Sequence, residues 1–335
     1  MEKFDFPEET ERPSFEEQFK NLEEVRLPSG TAEVGDFTPE NLKDDVPVLL
    51  AQAWGLGLET YKPAMKQLFE DKRRVLSIAH PRIGSAMSSS MNVKELSEKY
   101  PTAELRKALN ILEVLEEKGI KQVDAIAHSE GALNIAMAAA MYPEKFRSIA
   151  FFGPAGMLED ESWSRLIKGF ASQGNRAESI KDVPITESER AVGVAAMEDL
   201  KGYFLKNPGR SMSEIAAIKN GHRQTKDILP YLHDLGINII VMSAEGDPVF
   251  PQEEVRKAAE NDAVDRFISV PGGHGMIGEH PEIVMPSIEA AFEEFAKKEK
   301  TPKQKKALAD REYQSGVRYI PGEGLKIAEY IKRGE

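Results

Sequence analysis

Three residues of this 335-residue chain, Ser129, Asp247 and His274, have the types and the order that nucleophilic catalysis requires. A serine hydroxyl attacks a carbonyl carbon effectively only when a base removes its proton during the attack. Histidine suits that role because its ordinary pKa lies near neutral pH. A carboxylate behind the histidine holds the correct tautomer and stabilises the imidazolium that forms. The three together predict acyl transfer through a covalent intermediate.

The surroundings of Ser129 predict a nucleophile elbow, in which a strand turns sharply into a helix. An apolar run over residues 122–127 predicts the strand, and the alanine-rich residues 132–141 predict the helix. Ala127 and Gly131 lie two positions to either side of the serine and leave room for the turn. The motif A-H-S-E-G departs from G-x-S-x-G at its first position. The N-terminal end of the helix would also place positive partial charge beside Ser129.

Asp247 and His274 also follow predicted strands. The β-branched run over residues 237–243 is typical of a buried parallel strand, and the loop after it carries Asp247 together with a competing carboxylate, Glu245. Residues 266–270 predict a shorter strand that leads to His274 between glycines. Serine often only caps a helix, and Asp-Pro often only starts a turn. The occurrence of all three residues in this order behind three strands favours catalysis.

The segments around these residues alternate between strand and helix, as a parallel sheet requires. Two runs at 23–27 and 31–37 flank a Pro-Ser-Gly turn and predict a hairpin. A helix at about 102–118 has its leucines on one face and ends before Gly119. The other predicted elements of this part are strands at 46–51, 74–79 and 146–152 and a helix at about 61–71.

With its nucleophile, acid and histidine in this order, the chain resembles the α/β-hydrolase superfamily over roughly residues 20–298. The resemblance implies an α/β-hydrolase fold with a mostly parallel central sheet, flanking helices and a helical cap inserted after the sixth strand. It implies that Ser129 is the nucleophile, Asp247 the orienting acid and His274 the general base.

The resemblance further implies an oxyanion hole made of two backbone N–H groups. Glu130, the residue after the nucleophile, supplies one of them. Trp54 supplies the other when the turn Q-A-W-G-L-G is matched to the H-G-x-G turn of many members. Gln52 and Ala53 depart from that pattern. His128, which precedes the nucleophile, is interpreted as a supporting residue.

Resemblance and composition together divide the chain into four parts. These are an acidic N-terminal arm over 1–21, expected to be poorly ordered, an α/β-hydrolase core over 22–153 and 231–298, a helical cap over 154–230, and a charged extension over 299–335 that begins as a linker. The cap is expected to contain helices at 162–171, 187–206 and 211–219. The extension either packs on the body or supports a homodimer.

Four residues are candidates for contact with the substrate: Trp54, His128, Tyr203 and Phe204. The two cap residues have an alternative role, because aromatic residues of a small cap more often form its own core. The loop at 80–84 corresponds to one that many members of the superfamily place beside the active site.

Composition excludes several classes of function. A net charge of −12 argues against nucleic acid as a partner, and the lack of cysteine excludes a disulfide framework, a thiolate nucleophile and a cysteine zinc site. The chain has no H-E-x-x-H motif, no P-loop and no G-x-G-x-x-G after a strand, so neither metal nor cofactor is expected. No apolar stretch is long enough to span a membrane, and the acidic start does not resemble a signal peptide. These features favour a cytoplasmic enzyme with a small-molecule substrate.

The sequence therefore predicts a serine hydrolase acting on an ester, thioester or lactone of a small to medium apolar acid. Two alternatives remain at this stage. A carbon–carbon bond hydrolase uses the same triad. A non-catalytic receptor or scaffold on this fold is compatible with the unusual Gln52 and Ala53.

Overall fold

The computed structural model of the protein describes residues 12–27, 30–79, 102–159, 164–166, 168–169, 186–206, 208–220, 224–311, 317–320 and 324–327. These residues form one eight-stranded sheet with helices on both faces and a separate two-stranded ribbon near the C-terminus. The predicted loop at 80–84 lies outside the described residues.

The strands are β1 (Glu23–Leu27), β2 (Gly30–Phe37), β3 (Asp44–Ala51), β4 (Arg73–Ala79), β5 (Val123–His128), β6 (Phe146–Phe152), β7 (Asn238–Ala244), β8 (Arg266–Val270), β9 (Val317–Ile320) and β10 (Gly324–Ile327). The helices are α1 (Phe15–Lys20), α2 (Leu58–Glu70), α3 (Thr102–Glu117), α4 (Gly131–Met141), α5 (Glu187–Lys206), α6 (Pro208–Asn220), α7 (Gln224–Asp234), α8 (Gln252–Ala259), α9 (Met276–Glu279), α10 (Pro281–Phe295) and α11 (Pro302–Ala309).

The strands of the large sheet lie in the order β1-β2-β4-β3-β5-β6-β7-β8. Strand β2 is antiparallel to both of its neighbours, and every other neighbouring pair is parallel. The expected hairpin at the sheet edge is confirmed by the pairing of β1 with β2. The expected α/β-hydrolase fold, with its mostly parallel sheet, is confirmed.

The register of the central strands brings their carboxyl ends to one edge of the sheet. His128 pairs with Phe152, so β5 and β6 end level, and Ala244 pairs with Val270, so β7 and β8 also end level. In open α/β sheets, ligand sites lie beyond these ends. The residues predicted for catalysis follow β5, β7 and β8 and therefore emerge at one edge.

Alternate residues of the central strands face two apolar cores, because side chains alternate between the faces of a strand. In β5, Ala125 and Ala127 pack into the core that contains α3 and α4, whereas Ile126 packs into the core that contains α2 and α10. Helix α4 is buried along its whole length, which its small and apolar residues permit.

Buried charges lie at the opposite, amino end of the strands. The guanidinium of Arg73, at the start of β4, donates to Asp124 at 2.8 Å and to Glu289 at 2.9 Å. All three side chains are buried. This ion cluster is far along the strands from the edge that carries the predicted catalytic residues.

The expected poor order of the N-terminal arm is wrong for its last residues, which form α1. Ser14 and Glu17 make a capping box, a signal that is visible in the sequence. Phe15 and Phe19 are buried in the α2 core, and the ring centroids of Phe15 and Phe37 are 4.9 Å apart. The burial of these two rings helps to dock the short helix on the sheet.

The expected linker after the core contains a helix, α11. Thr301 and Gln304 form its capping box, with Pro302 in the first turn. A capped start of this kind favours helix even in a charge-rich segment, because it satisfies N–H groups that the first turn leaves unpaired.

The interval between β6 and β7 contains three of the described helices. Helix α5 has the predicted bounds, and α6 includes the predicted 211–219. Helix α7 packs on α4 and continues past residue 230, the expected end of the cap. The division into arm, core, cap and extension stays a prediction. Within the described part of the chain, every helix is too short or too polar to cross a lipid bilayer.

Candidate active site

Ser129 occupies a sharp turn between β5 and α4. Its φ angle of 56° lies in the left-handed region, which costs a non-glycine residue about 1–2 kcal/mol. Its N–H donates to the carbonyl oxygen of Phe152 at 3.0 Å, and its own carbonyl oxygen accepts from the N–H of Ala155 at 3.0 Å. These bonds to the segment around the end of β6 hold the turn in its strained conformation.

Gly131 is required by the close approach of α4 to the end of β3. A Cβ atom at this position would lie 2.7 Å from the carbonyl oxygen of Ala51 and 2.9 Å from that of Gln52. Contacts that short with backbone atoms cannot be relieved by a rotamer change. The need for a small residue two positions after Ser129, expected from the sequence, therefore has a specific cause.

Asp247 and His274 form a buried hydrogen-bonded pair. Nδ1 of His274 lies 2.7 Å from Oδ2 of Asp247. The other carboxylate oxygen accepts from the N–H groups of Val249 at 2.8 Å and Phe250 at 3.0 Å. An ionised carboxylate can only accept, so Nδ1 carries a proton and Nε2 of the neutral ring has a free lone pair.

Nε2 of His274 is buried and makes no hydrogen bond with any described residue, Ser129 included. An unpaired buried nitrogen is costly and therefore informative, because most buried polar atoms are paired. The surrounding contacts show where it lies: the His274 ring contacts Phe250 and the ring of His128, the residue before Ser129. The His274 ring thus lies against the residue that directly precedes Ser129.

Gly153 makes room for the Asp247–His274 pair, and sequence reasoning missed it. Its φ is 48°, and a Cβ there would lie 2.9 Å from Nδ1 of His274 and 3.0 Å from Oδ2 of Asp247. The signal in the sequence was a glycine directly after β6, because the neighbouring strands β5 and β7 are followed by predicted catalytic residues. Glu245, the competing carboxylate, is exposed and accepts from the Ser269 hydroxyl at 3.3 Å.

His128 joins the loop of the predicted oxyanion hole to the loop of His274. The N–H of Ala53 donates to the Tyr61 hydroxyl at 2.8 Å, and that hydroxyl lies 2.6 Å from Nδ1 of His128. Nε2 of His128 lies 2.8 Å from the carbonyl oxygen of His274, which can only accept. His128 therefore carries its proton on Nε2, and Tyr61 donates to Nδ1. Burial raises the pKa of Tyr61, which keeps it protonated as a donor.

The turn after β3 carries Trp54. Leu56 N–H donates to the carbonyl oxygen of Ala53 at 3.2 Å, and Gly55 has a φ of 70°. Gln52, which stands where the resemblance expects histidine, donates through Nε2 to the Ser77 hydroxyl at 3.0 Å. Although Gln52 departs from the H-G pattern, its side chain is paired by a buried hydrogen bond to β4.

A buried cluster of charged residues lies between the elbow and α6. Nζ of Lys107 is 2.6 Å from Oε1 of Glu130 and 3.3 Å from Oε1 of Glu214. Oε2 of Glu214 accepts from the Trp54 indole N–H at 3.2 Å and from the Tyr203 hydroxyl at 2.5 Å. Sequence reasoning found neither Lys107 nor Glu214, because no local pattern connects residues so distant along the chain.

The pKa values in this cluster are shifted by burial and by the neighbouring charges. Burial raises the pKa of Glu104 well above its ordinary value, and the charge of Glu130 raises it further. Both carboxyl oxygens of Glu104 are buried without a hydrogen-bond partner among the described residues, which agrees with an uncharged, protonated side chain. Burial alone would lower the pKa of Lys107, but the surrounding carboxylates, Glu130 foremost, raise it above its ordinary value.

An apolar pocket reaches the site beside His128 and His274. Its space is about 520 Å³ with its open mouth included, but little of that space is wide enough for a water molecule. Its walls come from the Trp54 turn, α2, α5 and α9, and include Leu56, Tyr61, Val192, Ala196, Leu200 and Ile277. The pocket is narrow in this conformation, and Ser129 is only 2% exposed.

The four candidates for substrate contact are placed differently. Trp54 and His128 line this pocket, whereas Tyr203 and Phe204 are not among its described lining residues. Tyr203 is buried edge-to-face against Trp54, with ring centroids 6.1 Å apart. Phe204, its neighbour on the helix, is 41% exposed.

Helix α5 is attached to the core at the start of α2. Oδ2 of Asp199 accepts from the N–H of Gly57 at 2.7 Å and from the Thr60 hydroxyl at 2.9 Å. A carboxylate there is favoured by the free N–H groups and the positive end of α2. No group of three or more His, Asp or Glu suited to a metal ion occurs among the described residues.

Comparisons with known proteins place this geometry in context. A family model described as alpha/beta hydrolase fold matches residues 46–176. No curated protein sequence matches the chain. Among solved structures, an esterase (EaEST) from Exiguobacterium antarcticum is 14% identical, with a TM-score of 0.60 and coverage of 81% of this chain and 98% of that one.

Two further solved structures are similar over the same extent. A thermophilic esterase from Thermogutta terrifontis is 18% identical, with a TM-score of 0.56, and the similarity covers 82% of this chain and 99% of that one. An enol-lactonase from Burkholderia xenovorans LB400 is 16% identical, with a TM-score of 0.55, and the similarity covers 82% of this chain and 100% of that one. At these identities the likeness establishes the fold.

Proposed function

Because this chain has the fold of the α/β-hydrolase superfamily, we propose that it is a serine hydrolase that cleaves an ester, thioester or lactone through an acyl-enzyme. Ser129 is the nucleophile, His274 the general base and Asp247 the acid that orients it. The observation that carries this proposal is the buried pair of Asp247 and His274, with Nε2 unpaired beside a strained serine elbow.

The reaction follows from the protonation states. Nε2 of His274 takes the Ser129 proton as Oγ bonds to the carbonyl carbon, and the electron pair of the C=O bond moves to oxygen. The N–H groups of Glu130 and Trp54 stabilise that oxyanion, and the positive end of α4 adds to them. Collapse expels the alcohol or thiol, which receives the proton from His274. Water, activated in the same way, then releases the acid and restores Ser129.

The pocket supports an apolar acyl group of small size. Its walls are apolar, and the space for a ligand in this conformation is narrow, so longer acyl chains require α5 to move. Two of the structures similar to this chain are named esterases and one an enol-lactonase, which agrees with an ester or lactone substrate. The cytoplasmic location and the self-association expected from the sequence stay predictions.

A fluorophosphonate probe tests the proposal, because it bonds covalently to an activated serine. We expect wild-type protein to be labelled on one residue, Ser129, and Ser129→Ala to be unlabelled. Ser148→Ala is the matched control, since Ser148 is equally buried but lies near the start of β6, away from the elbow. A folded wild-type protein that is not labelled would instead favour a non-catalytic receptor.

A further inference from the structure

One buried ion network connects the side chains of both residues assigned to the oxyanion hole. Glu130 pairs with Lys107 at 2.6 Å, Lys107 pairs with Glu214 at 3.3 Å, and Glu214 accepts from the Trp54 indole at 3.2 Å. The path runs from the elbow through α3 and α6 back to the turn after β3. The two residues at the ends of this path, Glu130 and Trp54, are the ones proposed to supply the backbone N–H groups of the oxyanion hole.

The network is almost completely shielded from solvent. The side chains of Lys107, Glu130 and Glu214 are each 5% exposed or less. Removing one partner of a buried pair leaves an uncompensated charge, so breaking the pair is strongly unfavourable even when the intact pair contributes little net stability. The Tyr203 hydroxyl also donates to Glu214, and the Tyr203 ring packs against Trp54.

We propose that Lys107 and Glu214 are positioning residues that hold Glu130 and Trp54 so that their N–H groups converge on the oxyanion. The inference rests on the proposed serine hydrolase function. It makes α6 part of the active site's support, since Glu214 reaches the Trp54 turn from that helix. It also accounts for the glutamate directly after the nucleophile, which a simple elbow does not need.

The charge of Lys107 has a second consequence. Without Lys107, Glu130 and Glu214 would bring negative charge into a buried cluster beside the elbow, and burial already raises the pKa of Glu130. Lys107 offsets that charge, and the raised pKa of Glu104 keeps that neighbouring carboxyl neutral. Loss of Lys107 therefore both releases the Glu130 side chain and makes the site less favourable to negative charge.

The test compares binding of the ground state with binding of a tetrahedral oxyanion. The variants are Lys107→Met and Glu214→Gln, assayed with p-nitrophenyl acetate. A short alkyl trifluoromethyl ketone, which forms a hemiketal oxyanion with the serine, is compared with the matching methyl ketone. We expect kcat and trifluoromethyl ketone affinity to fall together by about 10- to 100-fold, as a misplacement of about 1 Å can cause. KM and methyl ketone affinity should change little.

Rescue and control variants separate positioning from general stability. Lys107→Arg should recover part of kcat, because arginine keeps the charge and can bridge two carboxylates. Glu289→Gln, in the buried Arg73 cluster at the other end of the sheet, should lower Tm without a selective loss of trifluoromethyl ketone affinity. If Lys107→Met does not fold, Trp54→Phe replaces the indole by a smaller ring without the N–H that donates to Glu214, and should give a smaller loss of the same kind.

The two proposals fail in distinguishable ways. Wild-type protein that is neither labelled by a fluorophosphonate nor active would contradict the serine hydrolase. An active wild type, with folded Lys107→Met, Glu214→Gln and Trp54→Phe that keep full kcat and trifluoromethyl ketone affinity, would contradict the positioning role alone. A loss of affinity by the same factor for the trifluoromethyl ketone and the methyl ketone would likewise overturn it.

Discussion

The imidazole of His274 has its two nitrogens in different environments, and this difference sets what the residue can do. Nδ1 is bound to Asp247, whereas Nε2 is buried and unpaired among the described residues. Asp247 is itself fixed by two backbone N–H groups of the loop that follows it. At the scale of single residues, the hydrogen bond to Asp247 thus defines one tautomer of His274.

Asp247→Asn should lower kcat sharply, by about 10⁴-fold, while KM and Tm change little, because an amide can hold the wrong imidazole tautomer. Steady-state kinetics on a p-nitrophenyl ester and a thermal melt measure the two effects. Glu245→Gln is the matched control, since that carboxylate lies on the same loop but is exposed. A damaging Glu245→Gln with a mild Asp247→Asn would reverse the assignment.

Ser129→Ala and His274→Ala should each reduce kcat by at least about 10⁴-fold, and the double variant should be little worse than either. The reason is that both residues act in one proton-transfer step, which the first substitution already abolishes. Measurement of kcat for the two single variants and the double variant completes the cycle. Losses that multiply would mean that the residues act independently.

At the scale of elements, α5 forms one wall of the apolar pocket. Val192, Ala196 and Leu200 are four residues apart and face the pocket together, as helical neighbours do. Asp199, on the same helix, attaches it to the start of α2. Motion of such a wall admits substrate and excludes water, and it often limits turnover.

Ala196→Trp should raise KM for butyrate and longer p-nitrophenyl esters much more than for the acetate, because the indole fills a narrow pocket. Met197→Trp is the matched control on the same helix, since Met197 is 57% exposed. A series of acyl chain lengths, with Tm recorded for each variant, measures the effect. An unchanged chain-length profile in folded Ala196→Trp would locate acyl selectivity elsewhere.

At the scale of the whole molecule, charges are buried at both ends of the sheet. Arg73 with its two carboxylates lies near the amino ends of the strands, and Lys107 with Glu130 and Glu214 lies near the carboxyl ends. Burial raises the pKa of Glu104 well above its ordinary value, and burial also raises the pKa of Glu130. The titration of Glu104 therefore links folding stability to pH.

The pKa of Glu104 is raised in the folded protein, so its contribution to the free energy of unfolding is present below the unfolded pKa of about 4.3 and is lost as pH rises through the folded pKa. Glu104→Gln mimics the protonated form and should flatten this decline of the free energy of unfolding with rising pH. Denaturant unfolding over a pH series measures it, with Glu117→Gln, exposed on the same helix, as control. An equal decline in Glu104→Gln would show that Glu104 ionises freely.

The sequence by itself determined the features that depend on short stretches of chain. The β-branched run predicted β7 within one residue, and β6, β8 and α5 have the predicted bounds. The order of Ser129, Asp247 and His274 after strands indicated a shared edge, because parallel strands in one sheet end on the same side. These are local patterns, and local hydrogen bonding and hydrophobic periodicity express them directly.

Tertiary structure alone decided which distant side chains meet. Asp247 rather than Glu245 faces His274, and Tyr203 rather than Phe204 is buried, because loop path and helix rotation select one of two nearby residues. Lys107 and Glu214 are more than a hundred residues apart along the chain, and Gly153 is needed both for its φ of 48° and because the Asp247–His274 pair packs over it. Such contacts depend on how separate elements pack, and no sequence period encodes that packing.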